Sequence, residues 1–160
     1  MPKRMKSVLF VCTANRYRSP FAEAVFQQLL KNDGKEDEWS VGSAGTWTET
    51  GLPVIQRVFQ QAQGIGLDLG KHHSIEVNRK ILSEYVLIVV MEVGHKEALC
   101  VEFPEMRERI FLLSEIVDNI IYDIPDPAKA MEDADEIINE LYALVQRGYA
   151  SICALVDEML

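Results

Sequence analysis

The chain has 160 residues, of which 48% are apolar and 26% charged, the balance of a globular protein with room for one domain and a real core. Its formal net charge of −9 excludes a general nucleic-acid binder, because a phosphate backbone demands cationic surface. The apolar run at residues 8–11 is too short for a signal peptide and that at 85–91 too short for a membrane span, so the expected place is the cytoplasm, without membrane insertion. Three cysteines (Cys12, Cys100, Cys153) make no disulfide framework, and no CxxC or Cys/His cluster suggests a metal. Basic residues cluster early, at Lys3, Arg4, Lys6, Arg16 and Arg18, while the second half is acidic.

Residues 7–11 form a short apolar run of strand type, suited to a buried central strand. Ser19 can cap a following helix and Pro20 suits its first turn. Phe21, Ala24, Val25, Gln28 and Leu29 then recur at helical spacing until Asn32-Asp33-Gly34 stops them. Residues 39–44 alternate as a second strand, and residues 43–51, broken by Gly45 and Gly51, read as a loop. Pro53 opens a second helix that runs to about Gln63, with Gly64-Ile65-Gly66 after it. Residues 71–74 link to a short helix at 78–83, and residues 84–91 are the clearest strand, apolar on both faces. A short helix at 95–101, a strand at 109–113 and a stiff loop at 119–127 follow. A long helix from about Met131 to Asp157 carries Ile138, Leu141, Val145, Tyr149, Ile152 and Val156 on one face, with Gly148 beside that stripe.

The order β-α-β-α-(α)-β-α-β-α, without a linker or repeat, predicts a single α/β domain over residues 1–160. The expected architecture is three layers: a four-stranded parallel sheet with helices on both faces, doubly wound in the flavodoxin-like manner. Sites in such sheets lie at the carboxyl ends of strands. The stretch Cys12-Thr13-Ala14-Asn15-Arg16-Tyr17-Arg18-Ser19-Pro20 follows the first strand directly.

A strand that turns sharply into a helix gathers loop amides at the helix N-terminus, where an anion can sit. A phosphate ester would seat its oxygens against the amides of Thr13, Ala14, Asn15, Arg16, Tyr17 and Arg18 and against the planar Arg18 fork. The Cys12 sulfur would then stand in line to attack phosphorus. Ser19 is placed to donate its hydroxyl to that sulfur. Asn15 tolerates the left-handed geometry that converging amides need. The leaving oxygen needs an acid. Asp126, bracketed by Pro125 and Pro127, is the first candidate and Asp123 the reserve.

Each of these residues also has an ordinary reading. A lone buried cysteine is usually a small hydrophobe, and only Arg18-Ser19-Pro20 lifts Cys12 above that. Asp126 alone could be a turn residue. His72 and His73 read as structural, and Cys100 and Cys153 as packing residues. The acidic run at 132–140 reads as a solvated helix face. Trp47 is either a pocket wall or loop packing.

The sequence resembles the low-molecular-weight protein tyrosine phosphatases over nearly its whole length. The family signature V-C-x-G-N-x-C-R-S-P is met as Val11-Cys12-Thr13-Ala14-Asn15-Arg16-Tyr17-Arg18-Ser19-Pro20. S-A-G-T is Ser43-Ala44-Gly45-Thr46, and G-I-D-L followed by H-x-S/A is similar to Gly66-Leu67-Asp68-Leu69 with His72-His73-Ser74. The apolar strand ending in Met91 and the late Asp126-Pro127 complete the match. The resemblance implies no metal or cofactor and a phosphocysteine intermediate. It implies Cys12 as nucleophile, Arg18 as phosphate binder, Asp126 as general acid and Ser19 as thiolate stabiliser. By the same match Asn15 and His72 shape the loop through hydrogen bonds, with Ser43 in support. The expected partner is a phosphotyrosine protein or a small aryl phosphate, and the expected state of the chain is a monomer.

Four positions depart from the family pattern. Ala14 replaces a glycine and would be strained if that position needed positive φ. Tyr17 replaces a second cysteine, so a protective disulfide with Cys12 is lost and oxidation of Cys12 can proceed further. Ala128 stands where many members carry a tyrosine. Arg16 stands where members that prefer phosphoarginine carry threonine, and a cation there disfavours a guanidinium substrate and favours acidic flanking residues. The competing functions are arsenate reduction, phosphoarginine hydrolysis and a non-catalytic phosphate-binding regulatory module.

Overall fold

A computed structural model describes residues 4–160; Lys3, of the early basic group, lies outside them. Four parallel strands, β1 (Lys6–Cys12), β2 (Trp39–Gly45), β3 (Leu87–Val90) and β4 (Ile110–Leu112), form one sheet in the order β2-β1-β3-β4. β1 lies between β2 and β3, so the chain leaves it first to one side and later to the other. That makes its carboxyl end the topological switch point, where two crossovers diverge and leave a crevice. Cys12 is the last residue of β1.

The strands are apolar on both faces because both faces are covered. Val8, Phe10 and Cys12 of β1 and Leu87 and Val89 of β3 join a core under α1 (Arg18–Asn32), α2 (Gln56–Gln63) and α6 (Ala134–Met159). Leu9, Val11, Ile88 and Val90 point the other way, to Leu82 of α3 (Arg79–Ser83) and Leu99 of α4 (Val93–Glu102). The alternation is the two-residue period of a pleated strand. The Phe26 ring meets Phe10 and Trp39 edge-on at 5.8 and 5.4 Å, closing the first core at the foot of β1 and β2.

Several boundaries differ from those read in the sequence. α1 begins at Arg18 with Tyr17 as its N-cap and no side-chain cap, so Ser19 lies inside the first turn and does not cap the helix. Its hydroxyl is drawn to Cys12. α2 starts at Gln56; residues 53–55 stay outside it, as Ile55 donates its N–H to the Arg16 carbonyl at 2.9 Å. The fourth strand ends at Leu112 because Leu113 opens a short helix, α5 (Leu113–Asp118), where the sequence shows no full helical period. Its first turn is held by Glu115, whose carboxylate accepts from Leu112 N–H at 2.8 Å. α6 runs unbroken through Gly148. A Cβ there would come within 2.3 Å of Val117 Cγ2, so the glycine lets α5 and α6 pack closely.

The early basic residues part company. Lys6 pairs with Asp157 at 3.1 Å and Arg4 reaches the Ser83 carbonyl at 3.3 Å, both away from the carboxyl end of β1. Only Arg16, in the loop after β1, and Arg18, the first residue of α1, stand at that end.

Candidate active site

Residues 13–17 carry the chain from β1 to α1 in five steps. The loop leans on the end of β2: Thr46 N–H donates to the Cys12 carbonyl at 2.9 Å and Trp47 N–H to the Thr13 carbonyl at 3.0 Å. Gly45 permits this. A Cβ there would lie 2.6 Å from the Thr13 carbonyl oxygen, backbone that cannot yield without moving the loop. Ala14 needs no such allowance, since Asn15 and Asn119 are the only non-glycine residues with positive φ among the described residues.

Asn15 is the hub, fully buried at φ 57°. Its Oδ1 accepts from Ile75 N–H at 3.0 Å, which fixes the amide's orientation. Its Nδ2 therefore donates to Ser19 Oγ at 2.8 Å. Its carbonyl takes a hydrogen bond from His72 Nε2 at 2.8 Å, and because a carbonyl only accepts, that nitrogen carries the proton. Burial holds His72 below its ordinary pKa, against the pull of the Asn15 carbonyl. Ser19 Oγ lies 3.0 Å from Cys12 Sγ; having accepted from Asn15, it has its own proton to donate, with the sulfur the near acceptor and the Ala44 carbonyl a longer one at 3.5 Å.

Arg18 is 1% exposed, with its charge matched by Glu92, which precedes α4, and by the late loop. Nη1 donates to Glu92 Oε2 and to the Ile124 carbonyl, each at 2.7 Å, and Nη2 lies 3.8 Å from Asp126 Oδ2. Ile124 N–H in turn donates to the Met91 carbonyl at 2.9 Å, which ties the late loop across the end of β3. Asp126 Oδ1 is held by Ala128 N–H at 3.0 Å, leaving Oδ2 toward Arg18. Asp123 is otherwise engaged: its Oδ1 accepts from Val93 N–H, the first residue of α4, at 2.8 Å.

Tyr17 is buried and joins the loop to two helices. Its hydroxyl donates to Gln61 Oε1 at 3.0 Å, and Gln61 Nε2 donates to Asp135 Oδ1 at 2.6 Å, from α2 to α6. Burial pushes the phenol up to about 12. Arg16 Nε donates to the Pro53 carbonyl at 2.8 Å, which anchors the guanidinium at the rim.

Two sequence expectations change here. Ser43 does not join the loop network; its hydroxyl donates to Glu23 Oε1 at 2.6 Å, a carboxyl whose pKa burial raises. Of the two readings of Trp47, loop packing fails: its N–H meets the Thr13 carbonyl, but the residue is 81% exposed.

Glu92 and His95 went unnoticed in the sequence. His95 Nδ1 accepts from Glu92 N–H at 3.1 Å, and Nε2 lies 2.9 Å from Thr13 Oγ1 and 3.4 Å from Glu92 Oε2. The available signal was position: both follow an apolar central strand at its carboxyl end, where a parallel sheet keeps its functional side chains.

The family model for low molecular weight phosphotyrosine protein phosphatases matches residues 7–159. The chain is 32% identical over 142 residues to the low molecular weight protein-tyrosine-phosphatase Wzb of Escherichia coli, which covers 89% of each. It is 27% identical over 124 residues to the protein-arginine-phosphatase of Bacillus subtilis, covering 75% of this chain and 78% of that one. A solved low molecular weight protein tyrosine phosphatase from T. tengcongensis superposes with a TM-score of 0.81 at 30% identity, over 89% of this chain and 96% of that one. By sequence and by fold, the chain belongs to the low molecular weight phosphotyrosine protein phosphatase family.

Proposed function

We propose that the chain, as one domain over residues 1–160, hydrolyses phosphotyrosine in proteins or small aryl phosphates through a phosphocysteine on Cys12. The observation that carries the reading is the convergence at one strand end of Cys12 Sγ, the Ser19 hydroxyl 3.0 Å away and an Arg18 guanidinium whose Nη2 stands 3.8 Å from Asp126. The amides of Thr13, Ala14, Asn15, Arg16 and Tyr17 and the Arg18 fork receive the phosphoryl oxygens. The sulfur lone pair forms the S–P bond as the P–O bond to the leaving group breaks, and protonated Asp126 gives that oxygen its proton. Water then attacks phosphorus, Asp126 takes the water's proton, and the S–P bond breaks to return a thiolate that Ser19 steadies. His72 and Asn15 keep the loop amides convergent.

Trp47, exposed beside Thr13, supplies an aromatic wall for the substrate ring in place of the one Ala128 cannot offer. The anchored Arg16 guanidinium repels a phosphoarginine substrate and favours acidic residues around the phosphotyrosine. Arsenate reduction is disfavoured because Cys100 packs against one core and Cys153 against the other, on opposite faces of the sheet. A purely regulatory module would not need the Asp126 carboxylate beside Arg18. We place the enzyme in the cytoplasm as a monomer. Among the described residues, no helix is long and apolar enough to cross a membrane.

A panel of phosphotyrosine, phosphoserine, phosphoarginine and sugar phosphates on wild type and Cys12→Ser tests the reading. Cys12→Ser is expected to lose all turnover and keep phosphate binding. Wild-type turnover in that variant removes the mechanism, and preference for phosphoarginine removes the substrate.

A further inference from the structure

His95 carries no role in the mechanism above, yet it touches the loop directly. It sits in the first turn of α4 with 7% of its side chain exposed. The two ring nitrogens have different partners. The N–H of Glu92 donates to Nδ1 at 3.1 Å, so Nδ1 holds a lone pair and the ring proton sits on Nε2. Nε2–H then donates to Thr13 Oγ1 at 2.9 Å, with Glu92 Oε2 a more distant acceptor at 3.4 Å.

This polarity decides what Thr13 can do. Its oxygen accepts from His95, so its hydroxyl proton must point elsewhere. Among the described residues it meets no protein acceptor. Thr13 is half-buried and is the first residue of the loop after Cys12, the loop to which the phosphatase reading assigns the phosphoryl group.

We infer that His95 is a positioning residue that turns the Thr13 hydroxyl into a donor to a phosphoryl oxygen, and so makes Thr13 a binding residue through its side chain. The inference rests on the phosphatase reading for the place of the phosphoryl group. The imidazole remains neutral at working pH: burial lowers its pKa to about 4, and the neighbouring Arg18 charge adds to this against the carboxylates of Glu92, Asp123 and Asp126. A neutral ring keeps the acceptor on Nδ1 that a charged ring would lose. The same ring closes the start of α4 around Glu92, the partner of Arg18, and so steadies two phosphate-facing groups at once.

The test separates helix capping from positioning. In His95→Asn the amide oxygen can still accept from Glu92 N–H, but nothing reaches Thr13; in His95→Gln the amide nitrogen can reach Thr13. Binding of inorganic phosphate and orthovanadate, melting temperature and kcat/KM for para-nitrophenyl phosphate are measured on both, on Thr13→Val and on the Thr13→Val/His95→Asn double variant. The expected result for His95→Asn is oxyanion affinity and kcat/KM lowered about tenfold, the size of one hydrogen bond to a charged group, at an unchanged melting temperature. His95→Gln recovers most of that loss, Thr13→Val loses the same factor, and the double variant is no worse than either single one. Wild-type affinity in His95→Asn, or a further tenfold loss in the double variant, overturns the inference. If His95→Asn melts early, Thr13→Val alone decides: undiminished affinity there overturns it equally. A wild-type protein that binds phosphate but hydrolyses nothing defeats the phosphatase reading instead, and the binding arm still tests His95.

Discussion

Arg18 Nη1 and Glu92 Oε2 lie 2.7 Å apart, and Arg18 is 1% exposed. A buried charge is tolerated only when it is paired and fully hydrogen-bonded. Glu92 and the Ile124 carbonyl meet that demand on one side of the fork, which leaves the other side for an anion. The pair orients Arg18 before any ligand arrives, so ordering the side chain is no part of the cost of binding.

Removal of Glu92 is therefore expected to act on binding and stability together. Glu92→Ala should lower oxyanion affinity about tenfold or more and cost about 1–3 kcal/mol of stability by leaving Arg18 short of a partner. Glu92→Gln should keep most of the stability, because its amide oxygen still accepts. Calorimetric phosphate titration and urea unfolding check both. Unchanged affinity in Glu92→Ala would show that Ile124 and Asp126 suffice to place the guanidinium.

Ser19 stands between Asn15 and Cys12, and its loss breaks the chain at the sulfur. Ser19→Ala should slow kcat by about tenfold to a hundredfold, the range for an interaction strongest when charge sits on sulfur. Phosphate affinity should fall much less, because loop amides and Arg18 hold the oxygens. Rapid-quench measurement of the phosphoenzyme locates the slowed step. Equal losses in affinity and kcat would mean that Ser19 only shapes the loop.

Asp126 and Asp123 are separable because their carboxylates face different groups. Asp126→Ala should reduce turnover of esters with poor leaving groups by about a hundredfold and of activated aryl phosphates far less, as for a lost proton donor. Asp123→Ala should cost about 1 kcal/mol of stability, the worth of a helix-start hydrogen bond, and leave that leaving-group dependence unchanged. A series of substituted phenyl phosphates checks both variants. A steeper dependence in Asp123→Ala would exchange the two roles.

Acid should weaken the fold through its buried histidines. His95 falls from its ordinary 6.5 to about 4 and His72 is lowered in the same direction. Between those values the unfolded chain holds protons that the folded chain refuses, so stability is lost as pH falls from about 6.5 toward about 4. Glu23 has the opposite sign. Its raised pKa makes the folded chain the better proton binder, so its contribution is present below the ordinary 4.5 and lost as pH rises through the raised value. Melting temperatures across this range should climb with pH, and His95→Asn should flatten the climb. An identical slope in that variant would assign the acid sensitivity to other groups.

Much of the fold was legible because it follows from short-range pattern. The runs at 8–11 and 85–91 are apolar on both faces, as suits a covered parallel strand, and the stripe from Ile138 to Val156 repeats at the helical period. The loop from Cys12 to Ser19 was legible for the same reason: its residues are consecutive, and strand, loop and helix follow in one run. Residues 114–118 were not, because six residues of α5 are too few to set a period and the helix is held by Glu115 and by packing on α6.

The sequence by itself pointed to a four-stranded parallel sheet covered on both faces, put Cys12, Arg18 and Ser19 just after its first strand and offered Asp126 as the candidate acid; the strand order that makes the Cys12 end a switch point came from the tertiary structure. Only the tertiary structure decided the company they keep. Ser43 turns to Glu23, Tyr17 to Gln61, and Glu92 and His95 come in from the start of α4 to face Arg18 and Thr13. The physical reason is distance along the chain: Thr13 and His95 stand 82 residues apart, and no local pattern records a partner that only the β1–β3 pairing brings within hydrogen-bond reach.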